Sequence, residues 1–289
     1  MSVDILGAYW TTAGPVEIRT GREWSLFDWP DRCAEAKRVG MSGLGLWHTD
    51  LEHLLERYTL AEIKQIFDDN GLVHLELEFL NDWFVPRGDE KRAASDGQRD
   101  LLFDAAAALD AHHIKIGNLQ RTPATIDRLT EAFGELCADA ADRHAAPLTY
   151  ELMPFDVNAA SLEAVLQIVG GAEAPNGGIA IDTWHLGKMA ISPDDLRAIP
   201  RHLLTYVELS DGMQENMPDH THETTRFRRL PGEGEFDIPG YVRALADLGY
   251  AGPWGVEVLS DALRALPLPE MFRRTVETST AQIEKGLKA

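Results

Sequence analysis

The sequence predicts one α/β domain over residues 1–289, folded as a closed parallel (β/α)8 barrel. Two observations lead there. Short apolar runs alternate with amphipathic, alanine-rich runs from end to end, without a linker or a shift of composition. They make about eight strand–helix units, the number and chain length that such a barrel uses. Four of the apolar runs also end in an acid: Leu148-Thr149-Tyr150-Glu151, Gly178-Ile179-Ala180-Ile181-Asp182, Thr205-Tyr206-Val207-Glu208 and Trp254-Gly255-Val256-Glu257. A buried strand seldom ends in a carboxylate for packing reasons, because an unpaired charge there is costly. An open doubly wound sheet is the rival. It requires an early glycine turn of G-x-G-x-x-G order, which Gly40-Met41-Ser42-Gly43-Leu44-Gly45 lacks.

In chain order, Ile5-Leu6-Gly7-Ala8-Tyr9-Trp10 is the first strand. Asp28-Trp29-Pro30 opens a helix through Val39, with Asp28 or Asp31 as N-cap and Gly40 as the stop. Gly43 to His48 is the second strand. Thr59-Leu60-Ala61-Glu62 has the spacing of a capping box, and Asn70-Gly71 closes the helix that it begins. The third strand, Leu72 to Phe79, alternates: His74, Glu76 and Glu78 share one face, Leu75, Leu77 and Phe79 the other. A polar loop over 86–97 leads into a helix through Ala105-Ala106-Ala107-Ala108. The fourth strand, Ile114-Lys115-Ile116-Gly117, precedes a helix begun at Thr122-Pro123. The four acid-tipped runs supply the remaining strands, separated by helices near 161–169, 193–199 and 238–248, and a last helix runs from about Pro269 towards Lys288.

Composition is that of a soluble globular protein, 44% hydrophobic and 26% charged. A formal net charge of −20 argues against a nucleic-acid groove or an anionic membrane surface. No apolar run reaches membrane-spanning length, and Met1-Ser2-Val3-Asp4-Ile5 lacks a signal-peptide layout, so a cytoplasmic location is expected. Cys33 and Cys137 lack metal-type spacing and read as buried thiols.

Chemistry is expected at the C-terminal mouth of the strands, where Glu151, Asp182, Glu208 and Glu257 converge. Like charges at such separations raise one another's pKa. A divalent cation resolves the conflict, and an all-oxygen set suits Mn²⁺ or Mg²⁺ better than Zn²⁺. Trp10, Trp47, Trp83 and Trp184 fall near strand exits, where aromatic rings either stack on a sugar or fill core. His48 and Glu78 enter the same mouth. His112, His113 and His144 fall at the opposite, stability end. The H-x-H of His220-Thr221-His222 reads as part of a solvated loop over 212–228, whose length suggests a lid or a partner contact.

Several segments together resemble the xylose isomerase-like barrel superfamily, the sugar phosphate isomerase/epimerase group. They are Tyr150-Glu151-Leu152-Met153-Pro154, Asp182-Thr183-Trp184-His185, Asp211-Gly212, Arg229-Leu230-Pro231-Gly232-Glu233-Gly234-Glu235-Phe236-Asp237 and Gly249-Tyr250-Ala251-Gly252-Pro253-Trp254 leading to Glu257. The resemblance implies that Glu151, Asp182 and Glu257 ligate the metal, with Glu151 and Glu257 as the proton-relaying acids. It implies that His185 contacts a substrate oxygen, and that Arg228 or Arg229 holds another. Lys115, His48, Trp10 and Trp83 complete the expected substrate contacts. One departure stands out. Many relatives carry a histidine on strand seven as the remaining ligand, whereas this chain offers Glu208. Four ionised ligands around a dication leave −2, to be met by a proton, by Lys115 or Arg229, or by Glu208 turning away.

The implied activity is isomerisation or epimerisation of a ketose or oxo-sugar by proton abstraction next to a carbonyl. The alternative is a lyase on the same scaffold. That branch includes an inosose or dehydroshikimate dehydratase, and the catalytic subunit of a C-glycoside deglycosidase that works on 3-oxo-glycosides with a second, β-rich subunit. A non-catalytic sugar- or partner-binding barrel is the third reading, and a homo-oligomer is expected from relatives. The apurinic endonuclease branch needs a histidine-rich multi-zinc site and a basic face, neither of which the chain offers.

Overall fold

In the computed structural model, which describes residues 3–288, eight parallel strands close into a barrel in sequence order. They are β1 (Ile5–Gly7), β2 (Gly43–Trp47), β3 (His74–Leu80), β4 (His113–Ile116), β5 (Leu148–Glu151), β6 (Gly177–Asp182), β7 (Leu204–Leu209) and β8 (Trp254–Val256). Pairing of β1 with β8 closes the ring. The helices are α1 (Tyr9–Thr12), α2 (Trp29–Val39), α3 (His48–Leu55), α4 (Leu60–Asp69), α5 (Glu90–Leu109), α6 (Ile126–Asp142), α7 (Leu162–Gly171), α8 (Thr183–Lys188), α9 (His220–Arg226), α10 (Ile238–Asp247), α11 (Asp261–Arg264) and α12 (Leu268–Lys288).

The caps explain many boundaries. Asp28 accepts from the backbone of Trp29 at the start of α2, and Gly40 ends that helix at φ 85°. Thr59 and Glu62 form a reciprocal capping box on α4. Four boundaries differ from the sequence-based expectation. The first strand stops at Gly7, and Tyr9-Trp10 begin α1. The expected polar loop over 86–97 is half helix, because Asp89 caps α5 and Arg92 pairs with Asp96 one turn on. Thr122-Pro123 stays outside α6, since Thr122 is tied by Asn118 and Asn158 while Thr125 makes the cap. Residues 193–199 hold only a 3-10 turn, Asp195–Ala198.

The apolar core fills the layer between strands and helices, with Leu44, Leu77, Ile116, Ile181 and Val207 among its buried members. Each such side chain contributes about 1.5–3 kcal/mol by leaving water. Inside the barrel the composition changes. Leu6, Ala180 and Tyr206 form a small apolar contact across the ring, but Glu76, Glu78, Lys115, Thr149 and Glu208 are buried beside them. Branched aliphatics usually occupy that space. Glycine makes the room: a Cβ on Gly255 would lie 2.2 Å from the Tyr206 hydroxyl and 2.9 Å from Glu208 Cγ. Cys33 and Cys137 are buried and unpaired, their thiols pushed up to about 12 by burial. Among the described residues, no helix is long and apolar enough to cross a membrane.

Candidate active site and metal centre

Strand register brings the four acids to one end of the barrel. Glu151 ends β5, Asp182 ends β6, Glu208 sits one residue before the end of β7, and Glu257 follows β8. Asp182 pairs with Glu208 and Glu208 with Gly255, so these positions are level around the ring. One oxygen from each of Glu151, Asp182, Glu208 and Glu257 lies within 4.8 Å of the others. Glu151, Asp182 and His185 make a second group of that tightness.

Two buried cations thread this cluster. Lys115, from β4, donates to both oxygens of Glu208 at 2.8 and 2.9 Å and to Glu257 Oε1 at 2.8 Å. Glu78 and Glu76 lie 3.2 and 3.6 Å from the same ammonium. Arg228 Nη1 bridges Asp182 Oδ2 at 2.5 Å and Glu257 Oε2 at 2.9 Å, and its guanidinium lies 4.9 Å from the Trp184 ring. The remaining Arg228 nitrogens donate to Thr224, on α9, so one side chain joins the acids to the helix above them. Asp182 also caps α8 by accepting from Trp184 N at 2.8 Å. That short helix turns His185 back over the site, with Nε2 3.1 Å from Glu151 Oε1 and 3.6 Å from Asp182 Oδ2.

Electrostatics splits the acids. Burial raises the pKa of Asp182 and Glu208, and raises Glu151 to about 7. Glu257 goes the other way: burial opposes it, but Lys115 and Arg228 together hold it at about 2. Lys115 stays an ammonium because four surrounding glutamates outweigh the cost of its burial. Burial lowers His185 to about 4, so its ring is neutral near pH 7, and its Nδ1 has no partner. Below the ring, Glu76 is raised to about 7 and Glu78 well above its usual range, again through burial. At the mouth four carboxyl groups face two cations, Lys115 and Arg228, and burial favours protons on three of them, protons that a divalent ion would displace. Oxygen donors this close fit a hard dication.

The family model described as xylose isomerase-like TIM barrel matches residues 33–282. The chain belongs to this family. Among curated proteins it is similar to 3-dehydroshikimate dehydratase of Pseudomonas putida, 23% identical over 273 residues that make up 89% of this chain and 42% of the relative. It is also similar to 3-dehydroshikimate dehydratase of Pseudomonas aeruginosa, 27% identical over 240 residues, 82% of this chain and 37% of the relative. The chain thus spans less than half the length of these relatives. A solved IOLI protein with a binding zinc atom superposes with a TM-score of 0.81 at 16% identity, covering 98% of this chain and 99% of that one. At that identity it attests the fold.

Within this xylose isomerase-like barrel, the structure brings together Glu151, Asp182, His185, Glu208, Glu257, Arg228 and Lys115 of the residues expected from sequence. It separates others. Arg229 is exposed and donates to Glu233 O, because successive residues of an extended segment point opposite ways and Arg228 takes the inward position. Trp83 is core, not mouth: it packs on Phe84, Phe133 and Tyr150 and donates to Gly117 O. Trp10 packs against Trp47, the rings tilted by 59°, in an apolar group with Tyr9 and Leu259. His48 opens α3 and is kept neutral, at about 4, by burial. His113 lies at the start of β4, where it meets Glu76 at 3.1 Å, below the mouth as expected.

Asp211 is the residue whose role the sequence understates. Its two oxygens accept from the backbone of Gly212, Gly232, Gly234 and Phe236 at 2.8–3.1 Å. It therefore pins the Pro231-Gly232-Glu233-Gly234 turn, and an antiparallel bridge from Asp211 to Arg229 sets the strand that aims Arg228. The recurring D-G and P-G-E-G elements are one device. A cleft of about 540 Å³ opens beside the site between Phe155, Trp184, Lys188 and Arg121, and the two aromatic rings on its wall lie 5.4 Å from His185.

Proposed function

We propose that this chain is a divalent-metal-dependent lyase that removes water from a small cyclic oxo-polyol acid of the 3-dehydroshikimate class. The family resemblance by itself favours isomerisation or epimerisation. The two curated relatives support the lyase branch instead, and one observation in the site carries it: Glu151 and Glu257 are not equivalent. An epimerase of this type needs two acids that exchange protons on opposite faces of the substrate. Here Glu257 is engaged by two cations, Lys115 and Arg228, at 2.8 and 2.9 Å. Glu151 faces neither and instead meets the neutral ring of His185 at 3.1 Å, a partner with which it can share a proton.

Elimination needs only one such carrier. The Glu151–His185 pair takes the proton from the carbon next to the substrate carbonyl. The electron pair released moves into the carbonyl, then returns to expel the β-hydroxyl, which leaves as water with the same proton. The second double bond so formed lets a cyclohexenone acid tautomerise to an aromatic dihydroxybenzoate. Glu151, Asp182 and Glu257 would hold the ion, Mn²⁺ or Mg²⁺ by donor type, with Glu208 beside them. Bound there, it would supply Lewis-acid polarisation of the substrate carbonyl. Arg228 fixes Asp182 and Glu257, and Trp184 and Phe155 wall the cleft against water. Arg121 on the cleft rim offers charge to a substrate carboxylate.

The test is turnover of 3-dehydroshikimate by the purified chain with Mn²⁺ or Mg²⁺, read as near-ultraviolet absorbance of the aromatic product. Glu151→Gln should lower kcat by about 10²–10⁴-fold. Epimerised ketoses from a parallel panel, with no aromatic product, would return the assignment to the epimerase branch.

A further inference from the structure

Of the four strand-end acids, Glu208 is bonded unlike the rest. Both of its oxygens accept from a single ammonium, Lys115 Nζ, at 2.8 and 2.9 Å, and both side chains are wholly buried. Its stem lies against Gly255, which leaves the space for it. Glu151, Asp182 and Glu257 share their oxygens among different groups instead: His185, the Trp184 amide, Lys115 and Arg228. Glu151 and Glu257 also keep slight exposure to the mouth, 4% and 5%, whereas Glu208, like Asp182, has none. A buried ammonium is costly unless a carboxylate is committed to it, and a buried carboxylate likewise needs its cation.

We propose that Lys115 is a positioning residue which claims Glu208 as its counterion and keeps it out of the ligand set, so that a divalent ion is held by Glu151, Asp182 and Glu257. The proposal rests on the metal-dependent reading above. It accounts for a lysine beside a cation site, where like charge would otherwise repel the ion. Lysine and glutamate together act as a neutral unit at the place where many relatives carry a neutral histidine. Glu257, which touches both Lys115 and Arg228, gives up shared hydrogen bonds on ligation, while Glu208 does not move.

The experiment uses the full chain loaded with Co²⁺, whose visible bands report its coordination, alongside calorimetric Kd values. The double variant Lys115→Met/Glu208→Gln removes the neutral unit. It should keep the wild-type cobalt spectrum, since neither removed group is a ligand, and bind within about tenfold of wild type, Glu257 losing only its hydrogen bond from Lys115. Lys115→Met alone frees Glu208 to ligate, so the bands should weaken as coordination rises and Kd should fall by about tenfold or more. Glu257→Gln, a lost ligand, should raise Kd by about a hundredfold or more. A double variant with an altered spectrum and a loss like that of Glu257→Gln would overturn the proposal and make Glu208 a ligand, while leaving the metal-dependent reading intact. Should the single variant not fold, the double variant decides alone. Absence of cobalt binding by the wild type would overturn both.

Discussion

At the scale of single residues, the site works by setting like groups apart. Glu151 and Glu257 have the same side chain and stand at equivalent strand ends, yet one is raised to about 7 and the other lowered to about 2. The difference comes from Lys115 and Arg228, which both touch Glu257 and not Glu151. Folding raises Glu151 and Glu76 above their unfolded values, so the folded chain takes up protons between the ordinary glutamate range and about 7. Stability from these groups is present below that window and is lost as pH rises through it. A divalent ion replaces those protons. The gain in Tm on adding Mn²⁺ should therefore be larger at pH ~8 than at pH ~5.5, by roughly 5 °C, which differential scanning fluorimetry reads directly. An equal gain at both values would mean that the ion does not compete with protons there. His185→Asn keeps a polar group but removes the partner of Glu151, and should reduce kcat by about 10²-fold or more with KM little changed.

What the sequence discloses at this scale depends on spacing. The four acids were legible because each ends an apolar run. Arg228 was not separable from Arg229, since adjacency gives no inward direction until the strand is placed. Lys115 was legible as a counter-charge for the acids and as a substrate contact, but a four-residue strand is too short for alternation to show that it points into the barrel. Trp83 looked like a sugar platform because it follows a strand; the contact with Phe133 on α6 puts it outside the ring.

At the scale of elements, loops carry the function and small devices hold the loops. Asp211 satisfies four backbone N–H groups of the 212–236 segment. Asp211→Ala should destabilise the fold by about 3 kcal/mol or more, because the orphaned amides lose a charged acceptor, and activity should fall with it as Arg228 loses its aim. Urea unfolding measures the first and turnover the second. The long connection over 212–228 is not structureless, since it contains α9. That helix is polar and short, with no apolar period, so pattern reading passes over it. Lys188 ties the segment down by donating to Met213 O, Glu215 O and Glu223. Lys188→Met should lower Tm by several degrees, since Glu223 is left buried without its cation, while speeding proteolysis within 213–223 and raising KM. Cleavage at the wild-type rate would show that this anchor does not govern the segment.

At the scale of the whole molecule, the barrel was legible and its filling was not. Periodicity, capping residues and chain length lead to eight parallel strands in order. The alternation of His74, Glu76 and Glu78 even groups the right residues, but strands buried on both faces do not declare which side is inward. Closure does, and it places two further glutamates and a lysine beneath the mouth. The result is an interior that is apolar between strands and helices and ionic at the axis, where four crowded carboxyl groups suit a dication. Calorimetric titration of Mn²⁺ into the wild type and Glu257→Gln tests that claim most directly. Saturation near one ion per chain, with affinity falling steeply in the variant, is the predicted result. Equal affinity in both proteins, or none in the wild type, would contradict it.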